Sequence, residues 1–301
     1  MKIIFSTAIA LFITMQCAAQ QLSDSSFDVS VTNPAFKDRH PRILFDEGHE
    51  NFHTTTGRYK PFVQLAINDG CQVTPNKEKF NNIDMFNGYD LLVIANAFNR
   101  FDTIAFTIEE CQNVRAWIMN GGSLLLITDH MPMSKLSQQL AETLGVSFTI
   151  GTLMDSVYFE PAIGENSHLL FTKENKLLPS NEFTKDVNRV VSFTGQGVKG
   201  PRGSITILQT APTAYYELVE LADFKKSEKG FTVKLRRFGY ASAEGFSQAV
   251  AFRLGKGRVI VTGEAAMLTA QVSDGQKAGM NFPGVDNKQL VLNMLRWLLK
   301  Q

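Results

Sequence analysis

The chain of 301 residues has few cysteines, almost no net charge and only one long apolar run. It contains three Cys and two Trp residues, and 30 Lys and Arg residues balance 29 Asp and Glu residues to a formal net charge of +1. Because no segment concentrates positive charge, the sequence lacks the electrostatic footprint of a nucleic-acid-binding protein. At 44% hydrophobic and 20% charged residues, its composition is that of an ordinary globular protein.

Several well-known catalytic motifs are also missing. The sequence has no G-x-S-x-G nucleophile elbow, no G-x-x-x-x-G-K-[ST] loop and no C-x-x-C pair, and no G-x-G-x-x-G follows the first predicted strand. These absences disfavour hydrolysis by a Ser triad, nucleotide binding by a P-loop and thiol redox chemistry.

Residues 1–20 have the pattern of a secretory signal peptide. Met1 and Lys2 precede a mainly apolar run that ends at Met15, and a stretch of small residues ends at Ala19. The run of about a dozen residues is short for a membrane anchor, which needs roughly 20. Lipoprotein signal sequences resemble one another in having a small residue before the modified Cys, but here Gln16 precedes Cys17. Cleavage near Ala19 is therefore favoured over lipid modification of Cys17. We expect an exported protein, periplasmic or secreted, without a transmembrane anchor after cleavage.

Two cysteines remain in the predicted mature chain, Cys71 and Cys111. Export permits a disulfide between them, but the sequence does not indicate that they meet. Cys111 lies in line with Ile108, Val114 and Ile118 on a predicted helix, which favours a small buried hydrophobic residue.

The order of predicted elements indicates an α/β fold. The strands are continuous apolar runs, and helices of about ten to thirteen residues alternate with them, which is typical of a parallel sheet covered on both faces. We predict a three-layer, doubly wound, mostly parallel sheet. The predicted strands are Arg42–Phe45, Leu91–Ala95, Ser123–Ile127 and Gly257–Thr262, and the predicted helices are Arg58–Asn68, Thr107–Met119, Ser134–Leu144 and Asn287–Leu299.

The helix ends carry capping signals. Thr107 and Glu110 have the spacing of a capping box, Ser134 is the predicted N-cap of its helix, and Asp286 or Asn287 caps the last one. Residues 21–39 form a polar leader that we interpret as a flexible N-terminal arm. Residues 40–301 then form one domain, in which short β-prone runs at about 146–250 predict a β-rich insertion.

Polar residues follow three of the predicted parallel strands, where open α/β sheets bind ligands. His49 and His53 are four residues apart, and neutral imidazoles and carboxylates at such spacing can bind zinc or a similar divalent ion. We therefore consider a metal held by His49, His53 and Asp129. The same groups could act as general acid and base without a metal, or could only fix the loops. The candidate catalytic residues are Asp46, Glu47, His49, Asp129, His130 and Glu264.

A second group of residues is predicted to bind a substrate. Thr56, Arg58 and Tyr59 lie at the start of a predicted helix, where free amides and a cation favour an anion, although ordinary helix capping gives the same pattern. His53 and Asn281 complete the candidate substrate-binding set. The remaining histidines, His40 and His168, are interpreted as surface or packing residues.

Several strings resemble a known family. These strings are Ile43-Leu-Phe-Asp-Glu-Gly-His49, Asn51-Phe-His53, Gly57-Arg-Tyr-Lys-Pro-Phe62 and Gly121-Gly-Ser-Leu-Leu-Leu-Ile-Thr-Asp-His130. They resemble domain of unknown function 4350 (DUF4350), which is similar to the class I glutamine amidotransferase-like superfamily and its flavodoxin-like sandwich. The resemblance extends through Phe193–Gln196 and Gly263–Met267 to Trp297, and so covers nearly all of the predicted mature chain.

The resemblance implies the fold more than an activity. Amidotransferases of this superfamily resemble one another in a nucleophilic Cys on a tight strand-to-helix turn, but the matching turn here is Thr128-Asp-His-Met-Pro132. Glutamine hydrolysis by a thiolate is therefore disfavoured.

Two hypotheses for the function follow. The first is an exported, metal-dependent hydrolase in which His49, His53 and Asp129 act as ligands or base and Glu264 assists a water. The second is a binding or scaffold module of the cell envelope that uses the same loops for a small molecule, a glycan or a partner protein. The sequence does not indicate the substrate or the oligomeric state.

Overall fold

A computed structural model describes residues 13–14, 21–99, 102–227, 230–273 and 275–300. The predicted signal peptide, residues 1–20, lies outside this part except for Ile13–Thr14. The helices are α1 (Lys60–Asn68), α2 (Ile108–Met119), α3 (Met133–Thr143) and α4 (Asn287–Leu299), with 3₁₀ turns at Ile83–Phe86 and Ala266–Leu268.

The first half of the described chain contains the strands β1 (Ile13–Thr14), β2 (Leu22–Ser23), β3 (Arg42–Asp46), β4 (Gln72–Asn76), β5 (Leu91–Ala95), β6 (Ser123–Ile127), β7 (Ser147–Phe148) and β8 (Leu153–Met154). The second half contains β9 (Leu170–Thr172), β10 (Arg189–Val191), β11 (Val198–Lys199), β12 (Ile205–Gln209), β13 (Tyr215–Ser227), β14 (Gly230–Ser242), β15 (Ser247–Leu254), β16 (Gly257–Thr262), β17 (Ala270–Ser273) and β18 (Gln276–Gly279). The fold is therefore of the mixed α/β class.

The largest sheet contains both parallel and antiparallel strands. Its parallel part has the order β4-β3-β5-β6-β16, and all four predicted strands of the core lie in it. The antiparallel part continues with β15, which pairs with β16, β11 and β12, and β7 pairs with β11. Strand β4 was not predicted, because Pro75 and its polar neighbours lack the continuous apolar run of a buried strand.

The two faces of this sheet are both buried. Alternate side chains of one strand point to opposite faces, so Ile43 packs with α1 and α4 on one face, and Leu44 packs with α2 and α3 on the other. The predicted insertion at about 146–250 contains β7–β14 and the first half of β15. It includes a long antiparallel hairpin, β13–β14, which the sequence did not predict, and residues 13–14 pair with its second strand.

The helix boundaries agree with the sequence in most places. Helix α2 begins at the predicted capping box, in which Thr107 Oγ1 accepts a hydrogen bond from Glu110 N at 3.2 Å. Helix α3 differs, because Pro132 occupies its N-cap position and the Ser134 hydroxyl donates instead to Ile150 O. The predicted cap at Ser134 is therefore wrong. Asp286 is the N-cap residue of α4, but its carboxylate accepts bonds from Asn188 N and Arg189 N.

Residues 21–39, the predicted flexible arm, lie against the domain. Strand β2 pairs with β17, and Asp24 accepts a hydrogen bond from Asn281 Nδ2 at 2.9 Å. Phe36 is 8% exposed and belongs to the same core as α1 and α4. The sequence did not predict this docking, because the contacts of the arm with the domain are all non-local: Asp24 binds Asn281, and Phe36 N donates to Asp69 O.

The two described cysteines are free and buried. Burial raises the pKa of the Cys71 thiol to about 12 and that of Cys111 to about 11. The interpretation of Cys111 as a buried hydrophobic residue is confirmed.

Candidate functional site

The polar residues that follow the parallel strands form two groups in the structure. One group surrounds His49, beneath α2. The other lies at the ends of β5, β6 and β16, near Tyr59. The predicted candidate residues are therefore divided between two environments.

The first group holds His49 between two carboxylates. Its Nδ1 lies 2.9 Å from Asp46 Oδ2, and its Nε2 lies 2.9 Å from Glu110 Oε1. The His49 ring has no exposed surface, and it lies 4.5 Å from the Phe80 ring and 4.4 Å from the Phe106 ring. Burial lowers the pKa of His49, but the two carboxylates outweigh it and raise the pKa above its ordinary value.

Both ring nitrogens of His49 are thus occupied, and neither is available to a metal or a substrate in this arrangement. Glu110 also accepts a hydrogen bond from Phe80 N and from Thr107 N at the start of α2. Although burial raises the pKa of Glu110, its hydrogen bonds and the charge of His49 lower it to about 2. The His49 group joins the loop after β3 to α2.

Glu47 fixes the next part of the same loop. One of its carboxylate oxygens accepts from Thr55 N and Thr55 Oγ1, both at 2.7 Å, and the other binds Lys77. Burial raises the pKa of Glu47, but these bonds hold it below its ordinary value. Glu47 is therefore engaged in fixing the loop of Thr54–Gly57.

The second group, which we call the carboxyl-end cluster, consists of His53, Asn96, Thr128, Asp129, Gln196, Gln248 and Glu264. Asn96 connects His53 with Asp129, because Asn96 Nδ2 lies 3.0 Å from His53 Nε2 and 3.4 Å from Asp129 Oδ2. The side-chain oxygen of Asn96, Oδ1, accepts a hydrogen bond from Asp129 N at 2.9 Å. Burial and the charge of Arg58 lower the pKa of His53 to about 3, so its imidazole is neutral.

Two carboxyl groups of the cluster influence each other. Glu264 is fully buried, and its oxygens accept from Ala266 N at 2.5 Å and Met267 N at 2.7 Å. Burial first, and then the charge of Asp129, raises the pKa of Glu264 well above its ordinary value. Burial also raises the pKa of Asp129, against the opposing effects of His130 and Asn96. Such a pair favours at least one protonated carboxyl.

Tyr59 covers one side of the cluster. Its ring lies 4.7 Å from the His53 ring, and its hydroxyl donates to Ala265 O at 2.6 Å. Burial, followed by the charges of Glu264 and Asp129, raises the pKa of Tyr59. The predicted residues Tyr59, His53, Asp129 and Glu264 therefore meet at the ends of the strands.

Many polar atoms of the cluster are buried and lack a hydrogen-bond partner. In folded proteins the large majority of such atoms are paired, with protein or with ordered water. The unpartnered atoms of the cluster are His53 Nδ1, Thr128 Oγ1, Asp129 Oδ1, Gln196 Oε1, Gln248 Oε1 and Gln248 Nε2. They form a group of donors and acceptors that the described protein atoms leave unsatisfied.

A close contact of backbones closes the cluster on one side. A Cβ atom placed on Gly195 would lie 2.6 Å from the backbone oxygen of Gly263 and 2.7 Å from Gln248 Nε2, so no larger residue fits there without displacement. Thr194, its neighbour, has a φ of 70°, which is unfavourable for a β-branched residue. Strained residues of this kind concentrate at functional sites.

The other predicted site residues lie apart from the cluster or at its edge. His130 is partly exposed and its Nδ1 lies 3.0 Å from Met131 O, while Thr56 is exposed. Arg58 Nε donates to Gln21 O, and Asn281 holds Asp24 of the arm.

The metal set considered from the sequence is not assembled. His49 is sequestered by Asp46 and Glu110, whereas His53 and Asp129 belong to the carboxyl-end cluster. Within the described ranges, no group of three or more His, Cys, Asp or Glu side chains has an arrangement that could hold a metal ion.

Four residues of the cluster were not predicted: Asn96, Thr128, Gln196 and Gln248. Asn96 follows β5 directly, and the rule applied to the other strand ends would have found it. Gln196 and Gln248 come from the insertion, where no sequence periodicity places them beside Glu264.

The described residues include no helix that is both long enough and apolar enough to span a membrane.

Comparison with known proteins gives the fold and no function. No family model matches the chain, and no curated protein matches it. Among solved structures, the mmIFT52 N-terminal domain is similar with a TM-score of 0.59 and 15% identity, over 86% of this chain and 98% of that one. At this identity the similarity shows a shared fold alone.

Weaker similarities have TM-scores below 0.5. The cytoplasmic protein STM3548 of Salmonella typhimurium has a TM-score of 0.46 and 10% identity, over 87% of this chain and 100% of that one. A ThuA-like protein of Bacteroides uniformis has a TM-score of 0.45 and 12% identity, over 88% of this chain and 94% of that one.

Proposed function

We propose that the protein is a binding module, and that the carboxyl-end cluster binds a small, neutral molecule rich in hydroxyl groups, such as a saccharide or polyol. The observation that carries this proposal is the group of unpartnered buried atoms on His53, Thr128, Asp129, Gln196 and Gln248. Leaving such an atom unsatisfied costs about 1–3 kcal/mol. A ligand that bonds to several of them would recover part of that cost.

The chemistry of the unpartnered atoms indicates the class of ligand. Gln248 Nε2 is a donor, whereas Asp129 Oδ1, Gln196 Oε1 and Gln248 Oε1 accept, and a hydroxyl group can satisfy both kinds. The residues of the cluster include no Lys or Arg, and Arg58, whose charge lowers the pKa of His53, donates from Nε to Gln21 O. The raised pKa values of Asp129 and Glu264 favour a protonated carboxyl, which offers a neutral ligand a donor and an acceptor. A neutral polyhydroxy compound therefore fits better than a phosphate or a carboxylate.

Gln248→Met tests this proposal, because it separates binding from stability. Methionine has a similar size and lacks both unpartnered atoms. We therefore expect the free energy of unfolding in urea to equal that of the unmodified protein or to exceed it by up to about 1–3 kcal/mol. We also expect the variant to lose saccharide binding in calorimetric titrations at least tenfold. Gln209→Met, at an exposed position of β12, is the matched control.

Two outcomes would contradict the proposal. One is that no neutral saccharide or polyol of a broad panel binds the unmodified protein at millimolar concentration. The other is that Gln248→Met and Gln209→Met bind the same compound with the affinity of the unmodified protein.

A second candidate function is hydrolysis by general acid and base catalysis, and the Asp129–Glu264 pair favours it. Buried carboxyl pairs in which one group stays protonated are a recurring acid–base arrangement. If the ligand were also a substrate, Asp129→Asn would abolish its cleavage while Gln248→Met only weakened its binding. Chromatography of the saccharide after incubation measures this difference.

We further propose the finer fold class and the setting of this protein. The order β4-β3-β5-β6-β16 is the 2-1-3-4-5 order of a flavodoxin-like sheet, and helices pack on both of its faces. This order supports a three-layer, doubly wound sandwich of the class I glutamine amidotransferase-like type. The proposed membership in the DUF4350 family depends on the sequence strings alone, such as Ile43–His49 and Gly121–His130. The signal-like N-terminal pattern supports export to the periplasm or the medium, where saccharides of the envelope are available.

A further inference from the structure

The edge of the sheet at which the parallel strands begin has a cavity of about 410 Å³. Ser123 at the start of β6 and Arg258 near the start of β16 line it. Strand β6 has five residues, and a strand rises about 3.3 Å per residue, so roughly 16 Å of strand separates this cavity from the carboxyl-end cluster. The two places are therefore distinct sites.

The lining of this cavity is strongly cationic. The whole chain has a formal net charge of only +1, so its composition does not explain this concentration. The cations come from separate segments of the sequence, which is why no basic run is visible there. The charged lining residues are Arg39, Arg253, Lys256, Arg258, Lys300 and the carboxylate Asp90.

Some of these cations already have partners. Arg39 lies 2.9 Å from Asp90 and donates to Leu299 O, and Lys300 lies 3.4 Å from Glu182. In the part of the chain that the structure describes, no carboxylate lies within ion-pair distance of Arg253, Lys256 or Arg258. Among the described residues, these three cations therefore lack a carboxylate at ion-pair distance, and the charge of Glu182 acts on Arg258 only from farther away.

The register of β15 and β16 forces these charges together. Arg253 and Arg258 are direct cross-strand partners, and Lys256 lies in the turn between the two strands. Like charges directly opposite each other destabilise a sheet. In addition, Arg258 Nε is buried without a hydrogen-bond partner, although its guanidinium lies 5.8 Å from the Trp297 ring.

We infer that this cavity binds a small molecule with several negative charges on phosphate or carboxylate groups. Arg253, Lys256 and Arg258 would bind these groups. Guanidinium groups bind such anions with paired, charge-assisted hydrogen bonds. The anion would supply the missing counter-charge between the two arginines and a partner for Arg258 Nε. The volume accommodates a molecule larger than a single inorganic ion, since ligand pockets commonly measure about 300–1,000 Å³.

Calorimetric titration with inorganic pyrophosphate and with citrate, at matched ionic strength in chloride, tests this inference. We expect the full chain to bind at least one of the two anions, and Arg253→Gln and Lys256→Gln each to weaken that binding at least tenfold. Arg202→Gln, which removes an exposed charge elsewhere, is expected to bind as the unmodified protein does. Both Arg253 and Lys256 are exposed, so these variants should fold.

The melting temperature adds a second readout. Without anion, Arg253→Gln should melt at or above the temperature of the unmodified protein, because the repulsion from Arg258 is removed. Binding of pyrophosphate alone would assign the site to phosphates, and binding of citrate alone to carboxylates. The inference is overturned if neither anion binds at millimolar concentration, or if Arg253→Gln binds as tightly as Arg202→Gln.

Discussion

At the scale of single residues, two histidines of one loop have opposite surroundings. His49 is enclosed by the carboxylates of Asp46 and Glu110, whereas His53 faces the amide of Asn96 and the ring of Tyr59. Their spacing of four residues suggested a shared role. The division arises because Glu110, which is 61 residues from His49, contributes the second carboxylate from α2.

The role of His49 predicts a large loss of stability when it is removed. His49→Ala leaves the buried carboxylates of Asp46 and Glu110 without their common partner, and breaking a buried pair in this way costs about 3–5 kcal/mol. Urea unfolding measures this loss. His130→Ala removes a partly exposed ring and should cost less than about 1 kcal/mol. Equal losses for the two variants would contradict a structural role for His49.

The pKa values of the two histidines should also be shifted in opposite directions. The carboxylates raise the pKa of His49 above 6.5, and burial lowers that of His53 to about 3. An NMR titration of the imidazole signals should therefore find His49 charged and His53 neutral at pH 6. A charged His53 at that pH would contradict the account.

These shifts have opposite effects on stability. Because the pKa of His49 is raised in the folded protein, the contribution of His49 to the free energy of unfolding is fully present below about pH 6.5. This contribution is lost as the pH rises through the pKa of the folded state. His53 resists protonation when folded, so its contribution falls as the pH drops from about 6.5 towards 3.

At the scale of elements, the start of α2 is the clearest agreement between sequence and structure. Thr107 and Glu110 form the predicted capping box, and loss of such a cap costs about 1 kcal/mol. Thr107→Ala should therefore lower the free energy of unfolding by about that amount. Ser134→Ala, at the position wrongly predicted as a cap, should lower it less, and a larger effect at Ser134 would contradict this reading of α3.

The same comparison shows what the sequence could and could not predict. Continuous apolar runs located the strands at Leu91–Ala95 and Ser123–Ile127 with their observed bounds, because a strand buried on both faces needs apolar side chains at every position. The ends of the predicted strands also located Asp129 and Glu264 at the edge of the sheet where the structure has them, and their role in a functional site stays a prediction. Gln248 reaches the cluster through the β15–β16 hairpin, whose first strand was not predicted, and Gln196 reaches it because the insertion folds back so that its backbone bonds to Gly263.

At the scale of the whole molecule, residues 21–39 join the domain rather than extend from it. Phe36 packs into the core, and Arg296 binds both Asp69 and Asn33 O. Phe36→Ala should therefore destabilise the protein by about 3 kcal/mol, as for a core phenylalanine. Unfolding by urea measures the change, and a loss below about 0.5 kcal/mol would indicate an arm that is mobile in solution.

The whole molecule also separates two kinds of chemistry at opposite edges of one sheet. The ends of the parallel strands gather carboxyl and amide groups around Asp129 and Glu264, and their beginnings gather the cations Arg253 and Arg258. A neutral ligand at one edge and an anion at the other should therefore bind without competing for the same groups.

The side-chain amide signals of Gln196 and Gln248 provide the most direct test of the central claim, that the carboxyl-end cluster binds a neutral polyhydroxy ligand. In an NMR titration with the saccharide or polyol that binds best, we predict that both signals shift along one common binding curve. The exposed amides of Gln138 and Gln209 should stay in place. Binding that leaves the Gln196 and Gln248 signals unchanged would contradict the account.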